Sequence, residues 1–223
     1  MRNRLGDLTA RNISRYVRGK ASIWGAVLLM AHSLVSPVYA LPSGGTVVEG
    51  TGSADIDTVE STLTVTQTTP KVVIDWSSFD IDATESVQFI QPGVDAVALN
   101  RVLSATTDPS QIDGTLTADG QVFIVNPNGI VFGSTSTVNV GGLVASTLAI
   151  EVDDFLNGEY HFASSGTEGS IVNSGTIAAD TGGYIALIGK RVSNEGRIEA
   201  GKGSVSLAAG GSVKLVLGAG GRI

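Results

Sequence analysis

"GTLTADGQVFIV" (Gly114–Val125), "GTIAADTGGYIALI" (Gly175–Ile188) and "GRIEAGKGSVSLAA" (Gly196–Ala209) are written in one frame. Each opens on Gly, places Leu or Ile two residues on and Ala two further, then passes a Gly-containing turn into an alternating apolar stretch. The frame extends backwards through "NSGTI" (Asn173–Ile177) and "NEGRI" (Asn194–Ile198). Alternation between Gly and Asn corners is the pattern of short strands. The last two copies are 21 residues apart (175 to 196) and the first two 61 (114 to 175), which reads as one unit with two degenerate copies between. A period near 20 with several strands per unit fits one coil of a parallel β-helix. A single coil cannot bury its inward face, whereas stacked coils share an apolar interior and satisfy each other's backbone groups. The inward columns expected are Leu116, Ile177 and Ile198 on one wall and Val122, Ile185 and Val205 on another. A leucine-rich repeat is disfavoured, because no Leu-x-x-Leu-x-Leu frame followed by Asn recurs.

Two stretches stand outside the frame. Residues 41–70, with "STLTVTQTT" (Ser61–Thr69), precede the first clear unit and are expected to cover the open end of the coil, where bare strand edges invite aggregation. "FLNGEYHF" (Phe155–Phe162) puts Asn157-Gly158 between two short apolar arms, a hairpin signal. The fold expected is all-β: a parallel β-helix with an N-terminal β cap and a small antiparallel extra-helical hairpin.

The first 40 of the 223 residues read as a separate segment. Arg2, Arg4, Arg11, Arg15, Arg18 and Lys20 face a lone Asp7, followed by the apolar run "IWGAVLLMAHSLV" (Ile23–Val35) and the small-residue end Val38-Tyr39-Ala40. That is the layout of a secretory signal, with cleavage expected after Ala40. Its apolar run is shorter than the roughly 20 residues that cross a bilayer as a helix. Residues 41–223 then form one domain. Removing the leader takes 6 of 14 bases and 1 of 21 acids, leaving a net charge of -12. So acidic a domain repels phosphate backbones, so nucleic acid is not an expected partner. There are no cysteines, which excludes thiol chemistry and Cys-ligated metals; no cofactor is expected.

The other conspicuous stretch is "IVNPNGIVFG" (Ile124–Gly133). In Asn126-Pro127-Asn128-Gly129 the proline presets φ at the second turn position, Asn126 can bond the backbone ahead, and Gly129 suits the last place. As a corner the motif needs no further explanation. Its context adds one. "VVIDWSSFDID" (Val72–Asp82), "VQFIQPGVDAVALNRV" (Val87–Val102), "IDGTLTADGQVFIVNPNGIVFG" (Ile112–Gly133) and "VNVGGLVASTL" (Val138–Leu148) together resemble the amino-terminal secretion domain of two-partner secretion exoproteins, the filamentous haemagglutinin family. The first segment is similar to the high-molecular-weight adhesin branch. The resemblance runs from about Gly44 to about Leu217. It implies a right-handed β-helix with no enzymatic activity, exported to the periplasm and bound there by the POTRA domains of an outer-membrane β-barrel transporter. The exoprotein then folds at the cell surface as an adhesin or haemolysin, with a host-cell surface or extracellular matrix as the target of its remaining length. By this resemblance Asn126, Pro127, Asn128, Gly129 and Ile130 correspond to the family's secretion motif. A second Asn-Pro-Asn motif known from one branch is absent.

Transporter recognition by sheet augmentation is an expectation for residues 41–70, with "TLTVT" (Thr62–Thr66) as the pairing strand. Arg101 is the only base between Lys71 and Lys190; a surface ion pair is the plain reading, and a receptor-facing or fold-locking role the sharper one. Asp75, Asp80 and Asp82 read as acids on a solvated strand face. The alternative function is a secreted β-helix polysaccharide lyase or hydrolase, which needs clustered acids and bases that this chain is short of. His161 reads as a half-exposed hairpin residue. The ending "VLGAGGRI" (Val216–Ile223) lacks a cap and suggests a longer exoprotein or a truncated product.

Overall fold

The recurring glycine of the turn is explained by steric contact between coils. In the computed structural model, which describes residues 40–217 apart from 106 and 167, a Cβ on Gly120 would lie 2.6 Å from the carbonyl oxygen of Ala96, on Gly141 2.7 Å from that of Gly120, and on Gly183 2.1 Å from that of Gly141. One corner of the fold is thus a column of glycines, each backbone resting on the one before. The leader expected over residues 1–40 lies outside the described residues except for Ala40.

The chain enters through β1 (Thr46–Val47) and β2 (Ala54–Val59). Coil one supplies β3 (Thr62–Gln67) and β4 (Lys71–Trp76); coil two β5 (Ser86–Ile90), β6 (Val97–Val102) and β7 (Ser110–Ile112); coil three β8 (Thr115–Ala118), β9 (Gln121–Val125) and β10 (Ile130–Phe132). Coil four runs along two walls as β11 (Thr137–Ser146), leaves as β12 (Ala149–Ile150), α1 (Val152–Asn157) and β13 (Tyr160–Ala163), and returns as β14 (Ser170–Asn173). Coil five is β15 (Thr176–Gly189) and β16 (Arg191–Asn194), and coil six β17 (Arg197–Ala200) and β18 (Ser204–Ala209), after which β19 (Ser212–Leu215) departs. Equivalent strands pair in parallel from coil to coil on three walls. The result is a β-solenoid of about six turns.

The two inward columns are in register as expected. Leu116, Val138, Ile177 and Ile198 stack on the first wall, and Val122, Leu143, Ile185 and Val205 on the second. Full burial of such a side chain contributes about 1.5–3 kcal/mol, so each added coil stabilises the one beneath it. Val205 differs from expectation in being 46% exposed. It occupies the last described coil, where Ile185 is its one register partner among the described residues.

The count of coils also needs correcting. Thr115, Thr137, Thr176 and Arg197 are register partners in successive coils, giving intervals of 22 (115 to 137), 39 (137 to 176) and 21 (176 to 197). Only one coil, not two, lies between the first two copies of the frame. The remaining length is the excursion through β12, α1 and β13.

That excursion is antiparallel, as expected: β12 pairs with β13, and β13 with β19. Its turn is not the Asn157-Gly158 hairpin. Asn157 ends α1, and Gly158 takes the left-handed conformation (φ 79°) as the helix C-cap. Asn-Gly signals positive φ in either setting, and distant contacts decide which. Lys71 Nζ, from coil one, donates to the carbonyls of Phe155 and Leu156 at 2.9 and 2.8 Å, a cation at the negative end of a helix. Phe155 packs edge-on to Phe123 at 5.8 Å. A second apolar core forms here on the outside of the second wall, from Val73, Leu99, Phe123, Val144 and Phe162.

At the other end β1 pairs antiparallel with β4, and β2 with β3. Leu41, Val47, Ala54 and Ile56 lie partly buried against the inner core, so residues 41–59 cap it. Thr62–Thr66 is not an unpaired strand: these residues of β3 are paired by β2 on one side and by β5 on the other. The outer strands at this end are β1 and β2, each paired on one side only.

Candidate functional site

Asn126 is 1% exposed and bonded on every side. Its Nδ2 donates to Ser110 Oγ at 3.0 Å, and its Oδ1 accepts the Asn128 amide at 3.0 Å, closing the side-chain turn expected of Asn ahead of Pro. The Gly129 amide donates to the Asn126 carbonyl at 3.1 Å, which completes the four-residue turn. Above and below, the corner is held by its neighbours. Asn126 N donates to Ser146 O at 3.0 Å, Gly169 N to Pro127 O at 2.8 Å, and Ser110 N to Gly129 O at 3.0 Å. Ser110 belongs to coil two; Ser146 and Gly169 belong to coil four. The motif therefore rivets three successive coils.

Gly129 has φ 126°, and a Cβ there would meet Pro109 Cβ and Ser170 O at 3.1 Å. Ile130 is fully buried and pairs with Ser110 and Ile171. Pro127 and Asn128 are half-buried. A polar cavity of about 100 Å³ opens beside Asn126, lined also by Ser77, Asp80, Asp108 and Ser110.

The return loop that delivers Gly169 to this corner carries its own fixed charge. Glu168 Oε1 accepts the Ser164 hydroxyl and the amides of Ser165 and Gly166. These bonds, the Ser164 hydroxyl foremost, hold the carboxyl at about 2 against an ordinary 4.5. Because the folded value is the lower one, the contribution is complete above pH 4.5 and is lost as pH falls towards 2. In an NMR titration the Glu168 carboxyl will turn at about 2, and Ser164→Ala will move that midpoint upward.

Arg101 stands apart from the corner. Its Nε and Nη2 donate to Asp75 Oδ1 and Oδ2 at 2.8 and 2.9 Å, a two-pronged pair between register partners of β4 and β6. The plain reading, an ion pair, is the observed one. The acids near Trp76 are less exposed than expected: Asp75 and Asp80 are half-buried, and only Asp82 faces solvent. They do not converge. Asp80 accepts the Gln111 amide at 2.8 Å, and its carboxyl is raised, first by burial and then by Asp108 and Glu85. Asp82 accepts from Thr84. Among the described residues no group of three or more His, Asp or Glu could hold a metal ion. His161 is exposed on β13, its Nε2 3.0 Å from Ser212 Oγ.

Sequence reasoning missed Ser110, Ser146 and Gly169 as partners of the corner, and Asn100, which is fully buried and accepts Trp76 Nε1 at 3.0 Å. Nothing in their local spacing marks them, because their partners lie a coil away.

The family model described as "TPS secretion domain" matches residues 39–220. The chain belongs to this family. A TPS secretion domain is the targeting part of an exoprotein that is secreted or surface-located and works with an outer-membrane transporter. The heme/hemopexin-binding protein of Haemophilus influenzae strain Rd is 38% identical over 180 residues, 76% of this chain and 19% of that protein. A second Haemophilus influenzae heme/hemopexin-binding protein is 38% identical over 122 residues, 53% of this chain and 13% of its own length. The crystal structure of the HMW1 secretion domain from Haemophilus influenzae superposes with a TM-score of 0.73 at 35% identity, covering 78% of this chain and 46% of that one. This TPS domain spans about a fifth or less of the curated relatives it matches. Those relatives carry the names of a secretion domain and of binding proteins.

Proposed function

We propose that residues 41–223, freed of their leader after Ala40, are what the POTRA domains of an outer-membrane β-barrel transporter recognise. The same residues nucleate β-helix growth at the cell surface. Support for the second half comes from one observation above all: the Asn126 corner is 1% exposed and tied to the coils on both sides. In this reading Asn126, Pro127, Asn128, Gly129 and Ile130 act in secretion by permitting the stack to form, and Arg101 by joining coil one to coil two. The periplasm holds no ATP, so directional export needs a free-energy drop outside the cell. Coils that add one at a time, each burying a layer, supply it. The absence of cysteines leaves no covalent crosslink to obstruct the pore.

The rest of the exoprotein carries its target, and the domain itself is not an enzyme. The names of the relatives suit a surface adhesin or a protein that captures a host haem carrier. The test is secretion of the full chain from cells that express the cognate transporter, that lack it, or that carry it without its POTRA domains. The chain is expected in the medium only with the intact transporter. Equal release from cells without it overturns the reading.

A further inference from the structure

Glu85, in the turn that leads into coil two, is a carboxylate buried to 3% exposure. Its Oε2 accepts the Asp82 amide at 2.8 Å, and its Oε1 accepts the Ala40 amide, also at 2.8 Å. No described base pairs with it: the ion pairs among the described residues are Arg101 with Asp75 and Arg197 with Glu199. Between residues 40 and 189 the only bases are Lys71 and Arg101. Lys71 is committed to the carbonyl end of α1, and Arg101 to Asp75. The charges near Glu85 are themselves acids. Asp82 shares its turn, and the Asp80 carboxyl is raised by burial, by Asp108 and by Glu85 itself. A carboxylate taken out of water is costly unless a cation or several donors answer it. Two backbone amides answer this one in part.

One of those amides belongs to the last residue of the leader. Cleavage after Ala40 removes it, and the same cut turns the next backbone nitrogen, that of Leu41, into an amine that is charged at neutral pH. Successive backbone nitrogens are three covalent bonds apart, so the new cation lies within about 4 Å of the place the Ala40 nitrogen held. The chain behind it is fixed. Leu41 is half-buried against the inner core and Pro42 is buried. Ser43 then bridges to β4's end, its amide donating to Ser78 O at 3.0 Å and its carbonyl accepting the Ser77 amide at 2.9 Å. Rotation about the bonds of Leu41 is all that carries the ammonium onto Glu85 Oε1.

We propose that the α-ammonium of Leu41, made when the leader is cut, is the counter-ion of Glu85, and that this pair closes the amino-terminal cap onto the turn between coils one and two. The proposal rests on the reading of a leader cleaved after Ala40. In that reading the cut precedes coil formation, so the first coils close on a cation that the precursor lacks.

The test uses the secreted full chain with its own N-terminus and acetic anhydride as the probe at neutral pH, with acetylation of the N-terminal peptide followed by mass spectrometry. Exposed Lys190 is the internal reference. An ammonium held by a carboxylate keeps its proton, and so the Leu41 amine of the folded wild type is expected to react about tenfold or more slowly than in the same chain unfolded in urea. Glu85→Gln keeps the shape and an acceptor but loses the charge, and is expected to bring the folded rate within about threefold of the unfolded one. Asp82→Asn removes a neighbouring acid instead and is expected to leave the folded rate within about twofold of wild type. Circular dichroism verifies that both variants keep the β-helix. Should Glu85→Gln not fold, wild type acetylated in urea and refolded takes its place; its urea midpoint is expected to fall, and an unchanged midpoint overturns the pair. A first residue other than Leu41 overturns the leader reading and the pair with it. With Leu41 first, equal rates in folded and unfolded chain, no effect of Glu85→Gln, or an equal effect of Asp82→Asn overturns the pair alone.

Discussion

Asn126→Ala will lower the stability of the folded domain by about 2–4 kcal/mol and reduce secretion to a trace. The substitution removes a side chain that donates to Ser110 Oγ and accepts from the Asn128 amide. Each lost bond costs about 0.5–1.5 kcal/mol, and a buried group left without a partner about 1–3 kcal/mol more. The decisive companion is Ser110→Ala. Ser110 is 1% exposed, so a folded domain cannot present it to a receptor, yet it holds Asn126 in place. If the motif works by permitting coils to stack, Ser110→Ala will cost about 1–2 kcal/mol, and secretion will fall in step with the urea midpoint across both variants. Normal secretion of Ser110→Ala beside a complete loss in Asn126→Ala points instead to direct reading of the motif by the transporter.

Gly169→Ala is expected to be as damaging as any single change in the domain. A Cβ at this position lies 2.1 Å from the carbonyl oxygen of Asn128 and 2.8 Å from the Gly129 amide nitrogen. Those atoms are backbone, so no side chain can swing aside. The clash forces coil four off coil three at the very corner where the Gly169 amide donates to Pro127. Overpacking of this kind costs about 3 kcal/mol, and the urea midpoint followed by circular dichroism will show it. Gly201→Ala is the control, because nothing lies within 4 Å of its added methyl. Equal effects of the two would mean that helix or turn propensity, rather than coil spacing, governs stability.

The two glycines look alike in the sequence. Each sits in a polar, turn-forming stretch, and only the height of the neighbouring coil tells them apart. The repeat frame was legible because its periodicity is a property of consecutive residues: Leu116, Ile177 and Ile198 recur at the same place in their units and stack as read. The excursion was half legible. Its antiparallel character shows in "FLNGEYHF", but the choice of helix over hairpin turns on Lys71, 84 residues from Phe155. The interval from Gly114 to Gly175 misled for a related reason, since chain length alone does not distinguish a coil from a departure.

By itself the sequence determined the period, the strand faces, the acidic balance and the Asn-Pro-Asn-Gly turn, all of which depend on spacing along one short stretch. Tertiary structure alone decided that Asn126 is riveted between coils, that Arg101 meets Asp75 rather than solvent, and that β1 and β2 rather than β3 are the outer strands. Stacking is the physical reason. In a solenoid the nearest neighbour of a residue lies one coil away, roughly 20 to 40 positions along the chain, and a few inserted residues change which partner that is.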